Sequence, residues 1–338
     1  MKKNKLKKVI ITGGAGYVGS SLVPLLLKSG YEVTVFDLFI YGENVFDLWK
    51  GVKNLHLIKG DIRDTRHFNQ SIKDQDCLIH LACISNDPSF DLNPQLGRSI
   101  NYDAFKGILS AVQKNRIKRF IFASSSSVYG VRSESNVTEE SACEPLTDYS
   151  KYKLLCEELL FNADLRDCIY TIIRPATVCG YARRLRLDLT VNLLTLHALS
   201  KKKMMVFGGK QLRPHIYIDD MVEAYKCLLE APQGKINRQI FNAGYENRSV
   251  LETAQLIQRQ LKKQNYQAIN IEIQKTNDER SYHIDSSKIA QVLGFNAKHS
   301  LEDAVTSLIK AFERGDISNP LTNSYYFNIQ RMKELKLN

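Results

Sequence analysis

Tyr149 and Lys153 stand four residues apart in Tyr149-Ser150-Lys151-Tyr152-Lys153, so a helix there places both on one face. A phenol beside an ammonium is a candidate proton acceptor. Free tyrosine titrates near pH 10, which leaves only about 0.1% phenolate at neutral pH. A neighbouring cation favours the anion, and a downward shift of about 3 units corresponds to about 4 kcal/mol. Such a tyrosinate can take a proton from an alcohol. Tyr-x-x-x-Lys alone is common by chance and on an arbitrary helix means a packed tyrosine and a solvated lysine. The reading changes because Ser124-Ser125-Ser126-Ser127-Val128-Tyr129-Gly130 lies upstream, closing the apolar run from Phe120 to Ser124. A serine hydroxyl at such a strand end can bridge the tyrosine and a substrate oxygen.

A second constellation sits at the amino end. Thr12-Gly13-Gly14-Ala15-Gly16-Tyr17-Val18-Gly19 falls between an expected strand, Lys8 to Thr12, and an expected helix, Tyr17 to Lys28. Glycines permit the tight turn and the close approach of a pyrophosphate, and the helix N-terminus offers unpaired N–H groups. A lone Gly-rich match is weak, and a turn with no ligand is the bland alternative. Asp37 closes the next strand, 18 residues after Gly19. A carboxylate there accepts from both adenosine ribose hydroxyls and repels a 2′-phosphate, which favours NAD over NADP. By position, Asp61-Ile62 closes the third strand beside the adenine, and Leu81-Ala82 closes the fourth beside the ribose-phosphate.

These residues need a scaffold, and the chain supplies one. Apolar runs at Glu32 to Asp37, Leu55 to Lys59, Cys77 to Ala82, Phe120 to Ser124 and Cys168 to Arg174 read as strands. Helical patterns at Gln95 to Lys114 and Tyr149 to Phe161 lie between them. Such alternation implies right-handed crossovers and a mainly parallel sheet covered on both faces, an α/β doubly wound architecture. Pro175 breaks the rhythm. Beyond it Leu187 to Ser200, Asp219 to Glu230, Val250 to Lys262 and Leu301 to Phe312 read as helices, with Met204 to Phe207 strand-like. The expected organisation is a first domain over 1–174, also receiving the helix near 219–230, and a smaller α/β domain over 175–338, with the ligand cleft between them.

Composition narrows the function classes. Hydrophobic residues are 43% and charged residues 25% of the 338, ordinary for a globular protein. No apolar run approaches the length of a membrane span. Lysines 2, 3, 5, 7 and 8 before an apolar stretch imitate a secretory signal, but Gly13, Gly14, Gly16 and Gly19 within it fit the nucleotide turn better. Seven scattered cysteines without a CxxC pair exclude a disulfide framework and a zinc site, and they suit a reducing cytoplasm. The net charge of +11 comes from dispersed lysines such as 201–203 and 262–263, not from a basic stretch interleaved with aromatics, so no nucleic-acid partner is expected. The excess suits an anionic substrate.

With these motifs in hand, the chain resembles the extended short-chain dehydrogenase/reductase family, in particular nucleotide-sugar epimerases of the UDP-galactose 4-epimerase type. The carriers are TGGAGYVG at 12–19, the GDIRD segment around Asp61, HLA at 80–82, SSSSVYG at 124–130, YSKYK at 149–153 and RPATVCG at 174–180. The likeness spans about residues 8–315. It implies a Rossmann-type sheet and a catalytic set of Ser125, Tyr149 as base and Lys153 as its partner on the nicotinamide ribose. The implied cofactor residues are Gly13, Gly16, Tyr17, Val18, Gly19, Asp37, Asp61, Ile62, Leu81, Ala82 and Asn101, with Tyr149 and Lys153. For the substrate it implies Ser125 and Ser126, with Asn192, Arg213 and Arg280 on the diphosphate, where forked guanidinium donors suit the chemistry. It also implies a homodimer formed by helices Gln95–Lys114 and Tyr149–Phe161.

Departures from the family pattern bear on the reaction. Dehydratases of this group carry Thr-Asp-Glu from the Ser125 position, and glucuronate decarboxylases tend to carry a glutamate just before the valine. Here the triplet is Ser125-Ser126-Ser127, without an acid. The resemblance therefore implies redox at sugar C4 with the hydride returned, an epimerase. The alternative is a one-way 4-ketoreductase or C4-oxidase, while a non-catalytic NAD-sensing regulator would tend to lose the Tyr149/Lys153 pair. Asp87-Pro88-Ser89-Phe90-Asp91 and the Arg183-to-Asp188 stretch match the galactose epimerase poorly, which leaves the sugar open.

Overall fold

A computed structural model describes residues 6–132, 134, 136–276 and 281–337. Its strands are β1 (Lys8–Thr12), β2 (Glu32–Asp37), β3 (Leu55–Lys59), β4 (Cys77–His80), β5 (Arg119–Ala123), β6 (Ile169–Pro175), β7 (Thr177–Cys179), β8 (Lys203–Phe207), β9 (Leu212–Tyr217), β10 (Gln239–Ala243), β11 (Glu246–Ser249) and β12 (Asn270–Gln274). Seven of them form one sheet in the order β10-β6-β5-β4-β1-β2-β3, every neighbouring pair parallel. Apolar runs such as Val9-Ile10-Ile11 and Phe120-Ile121-Phe122 are buried because helices cover both faces. Alternate residues divide between two cores: Val9, Ile11, Ile79 and Ile121 face one, and Ile10, Leu78, Phe120 and Phe122 the other. The doubly wound sheet of the sequence reading is the observed fold.

Strand order reverses between β1 and β4, and the carboxyl ends of β1, β2, β4 and β5 open there into one cleft, the position at which such sheets bind ligands. The remaining strands form two small sheets, β11-β9-β7 and β12-β8, of which β7, β8 and β9 supply cavity-lining residues such as Val178, Met205 and Arg213. Helices Thr190–Lys201, Val250–Lys263 and Leu301–Glu313 pack a third core beneath them around Leu194, Met204, Leu256 and Val305.

Three local findings differ from the sequence expectation. Strand β6 runs through Pro175, since its pairing with β10 continues to Ala243 opposite Pro175. Strand β10, which the sequence reading missed, returns from beyond the substrate-side strands to form the sheet edge, together with helix Ile218–Glu230. Arg119 on β5 locks that helix: its Nη1 donates to the carbonyls of Leu228 (3.0 Å) and Leu229, and its Nη2 to that of Ala231 at 2.9 Å. A buried cation thus caps a helix C-terminus. Finally, the single helix expected over Gln95–Lys114 is three pieces, Pro94–Arg98, a π-turn at Ser99–Asp103, and Ala104–Lys114. The wider turn is where Asn101 brackets the backbone of Ile84, accepting from its N–H at 2.8 Å and donating to its carbonyl at 2.9 Å.

The carboxyl-terminal residues also come back to the first half of the chain. Met332 is buried in the core that holds Ile10 and Phe36, and Arg331 Nε donates to the Ile40 carbonyl at 2.5 Å. Among the described residues, no helix is long and apolar enough to cross a membrane, and no His/Cys/Asp/Glu group could hold a metal.

Candidate active site

The cleft is a continuous cavity of about 760 Å³, within the range of small-molecule sites. At one end its wall is the glycine-rich turn. Gly13 has φ +71° and a Cβ there would stand 2.6 Å from the Ala82 nitrogen, while a Cβ on Gly19 would collide with the Gly14 backbone. The turn is therefore closed against β4 on one side and leaves its other side to a ligand. Asp37 Oδ2 accepts from the Ala15 N–H at 2.9 Å and Oδ1 from the Phe39 N–H at 2.7 Å. Each oxygen keeps a lone pair for a further donor. Burial raises the Asp37 pKa, against the pull of those two N–H groups and of the Arg184 charge. Asp61 is chelated by Arg63, with Nε at 3.0 Å from each oxygen. Burial pushes this carboxyl up, but the Arg63 bonds outweigh it and its pKa is lowered.

Gly13, Gly16, Tyr17, Val18, Gly19, Asp37, Asp61, Ile62, Leu81 and Ala82 all line the cavity, as do Ser125, Ser126, Tyr149, Lys153 and Arg213. A turn that admits no side chains next to a carboxylate with spare lone pairs fits a dinucleotide. Asn101 stands behind the wall, holding Ile84, which does line it.

Of the residues that the resemblance implies for the diphosphate, Asn192 does not line the cavity. Asn192 is fully buried, and its amide is spent on the Gly180 N–H (2.9 Å), the Arg186 carbonyl (2.9 Å) and the Tyr17 hydroxyl (3.1 Å). It joins the glycine-rich turn to the substrate side, and no diphosphate contact is open to its side chain. Arg280 lies outside the described residues. Arg213 sits on β9 at the far end of the cavity, its guanidinium 5.7 Å from the Tyr282 ring centroid.

At the centre, helix Asp148–Asn162 begins with a capping box in which Thr147 and Ser150 satisfy each other's backbone N–H groups. Thr147 Oγ1 also donates to Asp87 at 2.5 Å, which fixes the entry of the chain. Tyr149, Lys153 and Glu157 follow at four-residue intervals and face the sheet. Lys153 is 4% exposed and donates to the Ala123 carbonyl at 2.7 Å, with Nζ 5.9 Å from the Tyr149 ring centroid. Glu157 and Arg174 form a buried ion pair, Nη2–Oε2 at 2.6 Å and Nε–Oε1 at 3.0 Å. Ser124 donates to the same carboxylate, and Arg174 Nη1 to the Tyr129 hydroxyl at 2.9 Å. This network ties the helix to β5, β6 and β10 and so sets the spacing between Ser125 and Tyr149.

Burial holds the Tyr149 pKa well above 10, Cys83 and Asp87 push the same way, and Arg186 and a hydrogen bond with Ser125 pull it down. Without a ligand Tyr149 is a neutral phenol at pH 7. Arg186 pairs with Asp188 at 3.0 Å, while Lys153 donates to the β5 carbonyl. Asp188 also accepts from Asn86 at 2.9 Å. Sequence reasoning missed Arg184, Arg186 and Asp188. Their signal was the charged run Arg183-Arg184-Leu185-Arg186-Leu187-Asp188, which stood out only as a departure from the family.

Residues 9–244 match the model of the NAD dependent epimerase/dehydratase family. The chain belongs to that family. It lies in the extended short-chain dehydrogenase/reductase group of NAD-dependent enzymes on nucleotide sugars. It is 27% identical over 327 residues to a UDP-glucose 4-epimerase of Lactobacillus helveticus, covering 88% of this chain and 94% of that one. It is 28% identical over 324 residues to a UDP-N-acetyl-alpha-D-glucosaminuronate decarboxylase of Bacillus cytotoxicus, covering 90% and 98%. Among solved structures, the UDP-glucuronic acid 4-epimerase of Bacillus cereus in complex with UDP-glucuronic acid and NAD superposes with a TM-score of 0.81 at 26% identity, covering 91% and 99%. Epimerases and a decarboxylase are thus similar to this chain to the same degree, and the reaction must be argued from the site.

Proposed function

We propose that this family member is a nucleotide-sugar epimerase that oxidises its substrate at C4, with Tyr149 as base, and reduces the 4-keto sugar on its other face. The observation that carries this reading is the state of the cavity's acids. Among the described residues its carboxylates are Asp37, Asp61, Asp87 and Asp188. Each is already hydrogen-bonded: Asp37 by backbone N–H groups, Asp61 by Arg63, Asp87 by Thr147 and Asp188 by Arg186 and Asn86. The two positions after Ser125, where loss of water would need an acid, are Ser126 and Ser127.

NAD, when bound, supplies the hydride acceptor at C4 and a positive ring near the phenol. Tyr149 accepts the hydroxyl proton, and the buried pKa must fall for it to do so. Arg186 and Ser125 already pull in that direction, and Lys153 adds its charge once its Nζ leaves the Ala123 carbonyl for a ligand. Ser125, its Oγ 2.9 Å from that of Ser127, is placed to pass a hydrogen bond to the sugar oxygen. At the far end Arg213 and the Tyr282 ring are the groups for the nucleotide diphosphate. We also place the enzyme as a homodimer through helices Ala104–Lys114 and Asp148–Asn162.

The test is incubation of the NAD-bound protein with UDP-, dTDP- and GDP-sugars, UDP-glucuronic acid included, without added cofactor. The expected product is the C4 epimer at unchanged mass, with no net change in the cofactor. A product lighter by one water or by carbon dioxide would overturn the assignment. So would turnover that requires an added redox partner.

A further inference from the structure

Arg184 is a buried cation that the mechanism leaves unused. It is 3% exposed yet lines the cavity. Its Nη2 donates to Asn328 Oδ1, while Nε and Nη1 are buried without a hydrogen-bond partner. The guanidinium carbon lies 3.7 Å from the centroid of the Tyr41 ring. Burial lowers its pKa to about 10, so the group is still charged at pH 7. A forked cation held on a ring face with two of its three nitrogens unpaired is prepared for an oxyanion.

Its position says which one. The Arg184 backbone N–H donates to Ser20 Oγ at 3.3 Å, and Ser20 belongs to the first turn of helix Gly19–Lys28, whose N-terminus ends the glycine-rich turn. Asp37, which closes β2 beside that turn, feels the Arg184 charge. The guanidinium therefore stands over the dinucleotide end of the cavity, whereas Arg213 stands at the opposite end, with Phe207 and Tyr282.

The carboxyl-terminal segment fixes this placement. Asn328 Nδ2 donates to the carbonyl and hydroxyl of Ser85 at 3.2 and 3.1 Å, which turns Oδ1 toward Arg184. The Tyr326 carbonyl accepts from the Leu187 N–H at 2.9 Å, and Arg331 reaches the Ile40 carbonyl. One short segment thus bonds Ser85 and Ile40, which line the cavity, and the Leu187 backbone three residues beyond Arg184.

We infer that Arg184, oriented by Asn328, is a second binding group for the pyrophosphate of the dinucleotide, delivered from the substrate side opposite the glycine-rich turn. The assignment rests on the dinucleotide reading of this cavity. Helix N–H groups would hold one side of the pyrophosphate and the guanidinium fork the other, and the cofactor could leave only after Arg184 or the carboxyl-terminal segment moved. Such retention suits an enzyme that returns its hydride to the same substrate and has no need to exchange its cofactor.

The test measures binding to the full-length chain, by calorimetry, for NAD, ADP-ribose and UDP separately. Arg184→Met is expected to weaken NAD and ADP-ribose alike, by about 10- to 100-fold, the range for hydrogen bonds to a charged group, and to leave UDP unchanged. Arg184→Lys keeps the charge without the fork and should lose less. Asn328→Ala should raise the NAD dissociation rate with a smaller change in affinity. If UDP affinity falls and NAD affinity holds, the arginine serves the sugar nucleotide and the assignment is wrong. If no ligand is affected, Arg184 is a structural cation, and the assignment is equally wrong. Should Arg184→Met not fold, Arg184→Lys and Asn328→Ala carry the same comparison. Failure of the dinucleotide reading itself would appear in the wild type, as a chain that binds no NAD, whereas failure of this assignment appears only in the variants.

Discussion

Replacing Glu157 by leucine tests whether the network under the site is as dry as its geometry implies. The side chains of Arg174 and Glu157 are 4% and 2% exposed. Burial alone would push the Arg174 pKa down; the Glu157 carboxylate outweighs it and raises it. Removing one partner leaves a buried guanidinium uncompensated, which costs about 3–5 kcal/mol. Unfolding entropy near the melting temperature is about 2.1 cal/mol/K per residue, or about 0.7 kcal/mol/K for a chain of this length. The expected fall in Tm is therefore about 4–7 °C, read by differential scanning calorimetry on the NAD-free protein. The second arm is the double replacement Glu157→Leu with Arg174→Leu. Taking out both charges removes the desolvation cost with the attraction, so the pair should regain at least half of the lost stability. Some loss persists, because the Ser124 and Tyr129 hydroxyls each lose a partner. A single variant melting within about 1 °C of wild type would refute the argument. So would a double variant no more stable than the single one, since water would then be reaching the pair.

Other consequences are as direct. Tyr149→Phe should lower kcat about 10²- to 10⁴-fold, the usual worth of a positioned acid–base group, while bound NAD and KM stay near wild type; retained turnover would remove Tyr149 from its role. Asn192→Ala should cost about 1–3 kcal/mol in urea unfolding through the polar groups it strands, with UDP affinity unchanged by calorimetry. A lost UDP affinity would restore it to the substrate site. His80 and His215 are buried, and burial lowers both pKa values to about 3. A depressed histidine pKa gives stability that is complete above the unfolded value near 6.5 and is lost as pH falls toward the folded value. Between pH 7 and pH 5 the two together should cost about 4 kcal/mol, seen as a falling urea midpoint; His80→Gln should roughly halve the slope, and an unchanged slope would show that His80 is not the source.

Where local pattern and packing agree, the sequence was readable. The parallel strands β1, β2, β4, β5 and β6 are largely apolar because both their faces are covered, and the capped helix at 148 carries its Tyr/Lys pair at helical spacing. Residues whose role depends on a distant partner were not readable. Asn192 looks like a ligand group until Gly180, Tyr17 and the Arg186 carbonyl are seen to use up its amide. Strand β10 is a five-residue run, Gln239-Ile240-Phe241-Asn242-Ala243, whose place at the sheet edge is set by its register with β6, far back in the chain. The depression of the Tyr149 phenol expected from Lys153 together with a bound nicotinamide ring is a property of the loaded site; in the protein itself the lysine bonds Ala123 and burial raises the phenol's pKa. Arg184 gains its meaning only from Tyr41, Asn328 and Ser20, which come from three separate parts of the chain.

The return of β10 to the sheet has a consequence for how the protein is made. A ribosome delivers β6 well before β10, with the strands β7, β8 and β9 in between. Throughout that interval β6, with Ile172 and Ile173 at its centre, ends the sheet as an unpaired apolar edge, the kind of surface that recruits other strands. The amino-terminal half is thus unfinished as a folding unit until residue 243 has emerged. A chain stopped at residue 174 should be recovered as aggregate and not as a free-standing nucleotide-binding module, and chaperone dependence should end at the length that adds β10.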